Sequence, residues 1–296
     1  MITIEGAGTD LAKVAGGGIA KQDRVLTVGQ LELALLARFP RSDAEEWDRT
    51  GLLVGDPATT VKGVAVALDP TRDAVIAAAD AGANVLLTHH PAFLDPPAAI
   101  SPSYEVAPAP GVVVYEAVRR GVALVNFHTA LDVSHEATHL LSSMLNLDFQ
   151  RILVPSGNDP DKGYGQLCTV RPSDAPLDVA HLAARCTSVF KRTPRVWGDF
   201  ASDIDTVVVA NGSAGNVVDA CLRAGASCLV CGEIRYHTAL DALQAGLNII
   251  ELGHDASELP LAAVLARAAA DAGIASDCVH VLEQSPHWTT PETTRL

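Results

Sequence analysis

The chain is short of positive charge. Its 296 residues carry 21 Lys and Arg against 35 Asp and Glu, a formal net charge of −14. That balance repels phosphate backbones and anionic lipid, and no local basic patch reverses it, so neither nucleic acid nor membrane is expected as a partner. Long apolar runs are also missing. No segment reaches the roughly 20 apolar residues of a spanning helix, and residues 1–24 are Gly-rich with no charged start leading into an apolar block. A cytoplasmic location is the resulting expectation. Cysteine is sparse: positions 168, 186, 221, 228, 231 and 278 lack the dense spacing of a disulfide scaffold. Cys228 and Cys231 form a C-x-x-C, but strand residues three apart point to opposite faces, so both are expected to be buried filler. A Walker-type phosphate loop is lacking too. Asn211-Gly-Ser-Ala-Gly215 follows a strand without the Lys-Ser/Thr, and reads as a plain strand-to-helix turn.

What is present is a large apolar share, 48%, enough to bury the core of one big α/β domain or of two ordinary ones. It is arranged as a repeat. Val64-Ala-Val-Ala67, a helical stretch, Ala81-Gly82-Ala83 and Val85-Leu-Leu87 return as Val207-Val-Val-Ala210, a helical stretch, Ala224-Gly225-Ala226 and Cys228-Leu-Val230. The offset is 143 (225 − 82) without a gap, and about a third of the aligned positions are identical. Each copy continues through a second helical stretch to a strand, Val122–Val125 or Leu247–Ile250, and then to His128 or His254. Gly82, Gly121, Gly225 and Gly246 suit the position that closes a helix before a strand. The fold class is therefore α/β, with duplicated β-α-β halves forming a pseudo-symmetric core over residues 25–149 and 205–284.

Between the halves, residues 150–204 read as a small inserted α+β unit. It has a loop at Pro155–Pro160, a strand at Gly165–Val170, a helix at Leu177–Cys186 and a short strand at Pro194–Trp197. Residues 1–24 read as a flexible extension and 285–296 as a loose tail. Ser257 reads as the N-cap of a helix from Leu259 to Ala272, with Pro260 in its first turn, which leaves His254 on the preceding loop.

Polar side chains at the C-terminal ends of parallel strands are where open α/β sheets place their chemistry. His89 and His90 follow Val85–Thr88 directly, Asp132 follows the next strand, and His254 and Glu258 follow its counterpart in the second half. Two similar halves facing each other would bring these ends to one centre. The donors then suffice for a metal site, and for two ions. In Asn126-Phe-His-Thr-Ala-Leu-Asp132 either His128 or Asp132 could ligate. A carboxylate is the better bridge between cations, so Asp132 is expected as ligand and His128 as its partner. His135 and His139 are expected as ordinary residues of the following helix. Glu233 and His237 share the same strand edge and read as acid/base groups, or equally as a helix-start acid and its neighbour.

The ordered blocks Glu46-Trp-Asp-Arg-Thr-Gly-Leu-Leu-Val-Gly55, Thr88-His-His-Pro91, His128-Thr-Ala-Leu-Asp132, Gly232-Glu233 with His237, and Gly253-His-Asp-Ala-Ser-Glu258 resemble those of the NIF-three-like, or YbgI-type, proteins. The resemblance runs from about Val25 to Val281. It implies a duplicated α/β fold, a dinuclear metal centre and a toroidal homohexamer, with the metal ligands on His89, His90, Asp132, His254 and Glu258. Members carry the label of GTP cyclohydrolase I type 2 homologues. Residues 1–24 stand outside the resemblance, and Asp255 occupies a place where an aromatic is common.

These readings converge on a metal-dependent hydrolase of a nucleotide or related small molecule. Two divalent ions, of Zn, Mn, Fe, Ni or Co, would activate water and polarise the acceptor. For GTP the attack falls at C8 of the purine, with Glu233 or His237 moving protons. The alternative is a non-catalytic metal carrier or scaffold.

Overall fold

Short, wholly apolar strands that cannot face water on either side have to be covered by helices, and this decides the architecture. The computed structural model describes residues 26–284, Pro286 and Trp288. The extension expected over 1–24 and nearly all of the tail expected over 285–296 lie outside the described residues. The first half comprises α1 (Val28–Arg38), β1 (Gly51–Val54), β2 (Val64–Ala67), α2 (Arg72–Asp80), β3 (Val85–Thr88), α3 (Ala109–Arg120), β4 (Ala123–Asn126) and α4 (Thr129–Asp132). A middle section follows with α5 (Leu140–Met144), β5 (Leu147–Ser156), β6 (Asp159–Val170), β7 (Leu177–Asp178), α6 (Val179–Phe190), β8 (Arg195–Trp197) and β9 (Asp203–Ile204). The second half comprises β10 (Thr206–Val209), α7 (Val218–Arg223), β11 (Cys228–Cys231), α8 (Tyr236–Gln244), β12 (Asn248–Glu251) and α9 (His254–Ala272), and β13 (Val279–Val281) ends the series.

The repeat is real at the level of the sheets. One sheet has the order β1-β4-β3-β2-β13, with β2, β3 and β4 mutually parallel. The other has the order β5-β6-β10-β11-β12-β8, with β10, β11 and β12 mutually parallel. Each trio ends in an antiparallel edge, β1 on β4 and β8 on β12. Both faces of both sheets are buried with the two-residue period of a strand. Val64, Val66, Val85 and Leu87 join one core, while Ala65, Ala67 and Leu86 join another. Cys228 and Cys231 divide in the same way, into the cores on opposite faces of the second sheet. Both are free thiols, and burial raises their pKa values, as expected of filler. Gly82, Gly121, Gly225 and Gly246 all take the positive φ expected at helix ends.

Three local expectations need correction. The segment 150–204 does not stand apart: β5 and β6 form a long hairpin that continues the second sheet through β6 on β10, and β8 closes that sheet's other edge. The loop expected at 155–160 is only the tip of this hairpin, where Gly157 has positive φ. His135 and His139 lie in turns between α4 and α5, not on a helix. There the hydroxyls of Ser134, Thr138 and Ser142 bond nearby backbone groups and compete with helical hydrogen bonding. Finally, α9 begins at His254, five residues before the expected start, with Pro260 inside it. Ser257 is no cap. Its hydroxyl donates to the His254 carbonyl and accepts from the Gly212 N–H, tying the first turn of α9 to the loop after β10.

Among the described residues no helix is long and apolar enough to cross a membrane.

Candidate metal centre

His89 and His90 would point to opposite sides if β3 continued, but the backbone leaves the strand there. The Thr88 hydroxyl donates to the His90 carbonyl at 2.7 Å, and the two rings converge to 5.0 Å between centroids. From the same half come His128, just past β4, and Asp132, one turn later at the end of α4. The second half contributes His254 and Glu258, placed on one face of α9 by their four-residue spacing, with His254 Nε2 3.0 Å from Glu258 Oε2. The fold thus brings all five expected ligands together, and His128 with them. Three groups have donor atoms mutually within 4.8 Å: His89, His90 and His128; His90, His254 and Glu258; His89, Asp132 and Glu258.

Each imidazole is held by its Nδ1. A carbonyl can only accept, so His89 Nδ1 donates to the Phe127 oxygen at 3.1 Å. His90 Nδ1 faces Asp69 at 2.7 Å, His128 Nδ1 faces Asp48 at 3.0 Å, and His254 Nδ1 faces Glu233 at 3.2 Å. Fixing one ring nitrogen with an oxygen acceptor orients the other, the usual arrangement around metal-bound histidine. The freed nitrogen of His89 is the clearest sign. Its Nε2 is buried without a hydrogen-bond partner, 3.5 Å from Asp132 Oδ1 and 3.8 Å from Glu258 Oε1. An unpaired nitrogen at 0% side-chain exposure is costly, and a cation among these donors would satisfy it. Mixed imidazole and carboxylate donors suit the divalent metals expected from the sequence.

The electrostatics are those of a cluster of positive and negative groups withheld from water. Burial opposes charge on His90, yet the Asp69 and Glu258 carboxylates outweigh it and raise its pKa to about 10. Glu258, aided by Glu233 and opposed by burial, lifts His254 to about 9. Burial pushes His89 down, and Asp132 and Glu258 more than reverse this. The two carboxyls diverge. Burial raises Asp132, with His89 opposing, whereas the imidazoles overcome burial at Glu258 and hold it well below the ordinary range.

The remaining expected residues separate. Glu233, 52% exposed, reaches the cluster through His254. His237 does not: it is exposed, its ring meets Tyr236, and no hydrogen bond or ion pair among the described residues joins it to the cluster. Several supporting residues had no role in the sequence reading. Asn211 donates to Asp132 at 2.5 Å, and Gly212 sits against Glu258, so the turn after β10 serves the centre. Asp48, with a fully buried side chain, accepts from Thr129 N and Oγ1 besides holding His128. Its place in the Glu46-Trp47-Asp48 block was the available signal. Asp255 is tied to Arg192 by two contacts, at 2.5 and 2.8 Å, and stands outside the three donor groups.

Burial would raise the Asp48 pKa, but the bonds from His128 and Thr129 hold it at about 2, below the ordinary 3.8. A depressed carboxyl stabilises the fold above its unfolded pKa and ceases to do so as pH falls through the folded one. Asp48→Asn is therefore expected to cost about 2 kcal/mol at neutral pH, a gap that narrows between about pH 4 and 2 in denaturant titrations.

The chain is similar to known proteins. The sequence model of Duf34/NIF3 (NGG1p interacting factor 3) matches residues 26–283. A GTP cyclohydrolase 1 type 2 homolog of Streptomyces coelicolor is 32% identical over 234 residues, covering 77% of this chain and 80% of that protein. Among solved structures, a Bacillus cereus protein related to NIF3 superposes with a TM-score of 0.80 at 19% identity, covering 90% of this chain and 100% of the other. The Staphylococcus aureus hypothetical protein SA1388 gives 0.76 at 22% identity, covering 88% and 97%. These two likenesses establish the shared fold. With the family match spanning nearly all the described residues, the chain belongs to the Duf34/NIF3 family.

Proposed function

We propose that the chain is a dinuclear metal-dependent hydrolase acting on a nucleotide or a related small molecule. The observation that carries this reading is the division of Glu258. Its Oε2 lies 2.9 Å from His90 and 3.0 Å from His254, while its Oε1 faces His89 at 3.8 Å, beside Asp132. One carboxylate shared by two donor groups is the arrangement of a bridging ligand. His89 and Asp132 would hold one ion and His90 and His254 the other. Bound divalent ions supply a water acidified toward neutrality and a polarised acceptor.

The protein's own part is to orient and to move protons. Asp69 and Phe127 aim His90 and His89, and Asn211 holds Asp132. Glu233 holds His254 from the solvent side and is the group placed to take or give a proton at a bound substrate. The label of the Streptomyces relative makes GTP the first substrate to test. A homohexamer belongs to the same proposal, and a sizing measurement tests it.

The decisive experiment is turnover of a panel of nucleotides and phosphoesters by protein loaded with defined metals, beside Asp132→Ala. Metal and turnover are expected to fall together in the variant. Loss of metal with unchanged turnover removes the hydrolase reading. Full loading with no turnover across the panel favours a metal carrier. Coordination also requires neutral imidazole, and His90 and His254, at about 10 and 9, are protonated near neutral pH in the metal-free protein. Metal binding is thus expected to release about two protons and to strengthen as pH rises toward 9. Calorimetry in buffers of different ionisation enthalpy measures the number, and a value near zero would mean that these two rings give up no protons to the metal.

A further inference from the structure

We propose that Trp47 is the stacking platform for a planar heteroaromatic ring of the ligand, a specificity residue at the edge of the metal centre. This rests on the nucleotide reading above and goes further by assigning the residue that recognises the base. The indole is 57% exposed, yet its backbone is pinned on both sides. On one side, Glu45 N donates to Thr129 Oγ1 at 3.0 Å, and Asp48 N closes a turn onto the Glu45 carbonyl at 3.0 Å. On the other, the Asp48 carboxylate holds His128 and Thr129, and the Arg49 carbonyl accepts from Asn126 at 2.5 Å. Apart from that local turn, these anchors belong to the end of β4 or the start of α4, the segment that carries His128 and Asp132.

A large aromatic group on a fixed backbone, with most of its surface in water, adds little to the fold. Held so, it is preorganised to bind, because little loop ordering remains to oppose association. Its location selects the ligand. The indole lies edge-on to His128 at 5.7 Å between ring centroids, and His128 is 5.2 Å from His89 and 5.6 Å from His90. A flat ring stacked on Trp47 is thus one imidazole away from the donor cluster. Among the described residues the indole N–H has no protein partner, so a heterocycle can stack on the π-face while the in-plane N–H stays open to an acceptor elsewhere on the ligand. Saturated sugars and simple phosphoesters offer no such face.

The test is equilibrium binding of GTP and of inorganic tripolyphosphate, which lacks the ring, to the metal-loaded full chain. The wild type is expected to prefer GTP. Trp47→Ala is expected to weaken GTP binding on the order of 5- to 150-fold while leaving tripolyphosphate binding and metal content unchanged. Trp47→Phe is expected to recover most of the preference. A wild type that does not distinguish the two ligands overturns the proposal. So does a Trp47→Ala protein that keeps the preference or loses both ligands alike. Should Trp47→Ala fail to fold, Trp47→Leu takes its place, and retention of the preference there overturns the proposal as well. Intact preference without turnover separates this inference from the hydrolase reading, since it sinks the latter alone.

Discussion

Glu258→Ala is expected to lose metal at once from the two donor groups that contain Glu258 and to destabilise the metal-free protein by about 3–5 kcal/mol, because it strips the shared counter-charge from a buried cluster. Only 4% of the Glu258 side chain is exposed, and three imidazoles face its two oxygens. Removing it leaves His90 with Asp69 at 2.7 Å and His254 with Glu233 at 3.2 Å, each without its partner in the interior. The pH dependence follows from the signs. Glu258 is depressed, so its contribution is present above the unfolded value of 4.5 and disappears as pH falls through the folded one. His90 and His254 are raised, so theirs is complete below 6.5 and disappears as pH rises through 9 to 10. The stability gap between wild type and variant should therefore be widest between about pH 5 and 6.5 and shrink toward pH 10. Urea titrations of metal-free protein at these pH values, with metal analysis of the loaded forms, check both parts. A variant that retains one equivalent of metal would show that Glu258 is not shared.

The centre can be seen as two halves of one motif, which explains why much of it was legible in the chain. His128 with Asp132 and His254 with Glu258 have the same spacing of four residues and follow equivalent strands, β4 and β12. Short-range patterning reveals such pairs, and an exact offset reveals the repeat. Gly212 occupies the position of Asp69 at the 143-residue offset (212 − 69). One position carries a carboxylate that aims His90, and the other carries no side chain and so admits Glu258. This division of labour is invisible in a sequence, because it depends on which side of the joint each copy occupies. The role of Asp48 is hidden for a related reason, since its partner His128 is 80 residues away and no local period connects them. The start of α9 is hidden in the sequence because Ser257 and Pro260 imitate a helix beginning. The hydroxyl that would have capped is used by Gly212 instead. The shared strand edge and the Gly232-Glu233 block both point to His237, yet on α8 it is exposed.

Gly212→Ala is expected to weaken metal binding by about 10–100-fold without removing any ligand atom. Gly212 has φ +55, and a Cβ there would lie 2.2 Å from Glu258 Oε1, 3.2 Å from its Cδ and 3.6 Å from His254 Cε1. The carboxylate has to move, and since its oxygens face three imidazoles, any displacement disturbs both donor groups. Alanine at positive φ also carries a backbone cost of about 1–2 kcal/mol wherever it occurs, so stability alone cannot reveal the clash. Gly225 supplies the control. It has φ +68 just past the end of α7, and a Cβ there meets nothing within 4 Å. Gly225→Ala should show the same backbone loss in thermal melts yet bind metal like the wild type, whereas Gly212→Ala should lose both stability and affinity. Equal metal affinity in the two variants would mean that Glu258 does not ligate from the position against Gly212, and the bridging arrangement would fall with it.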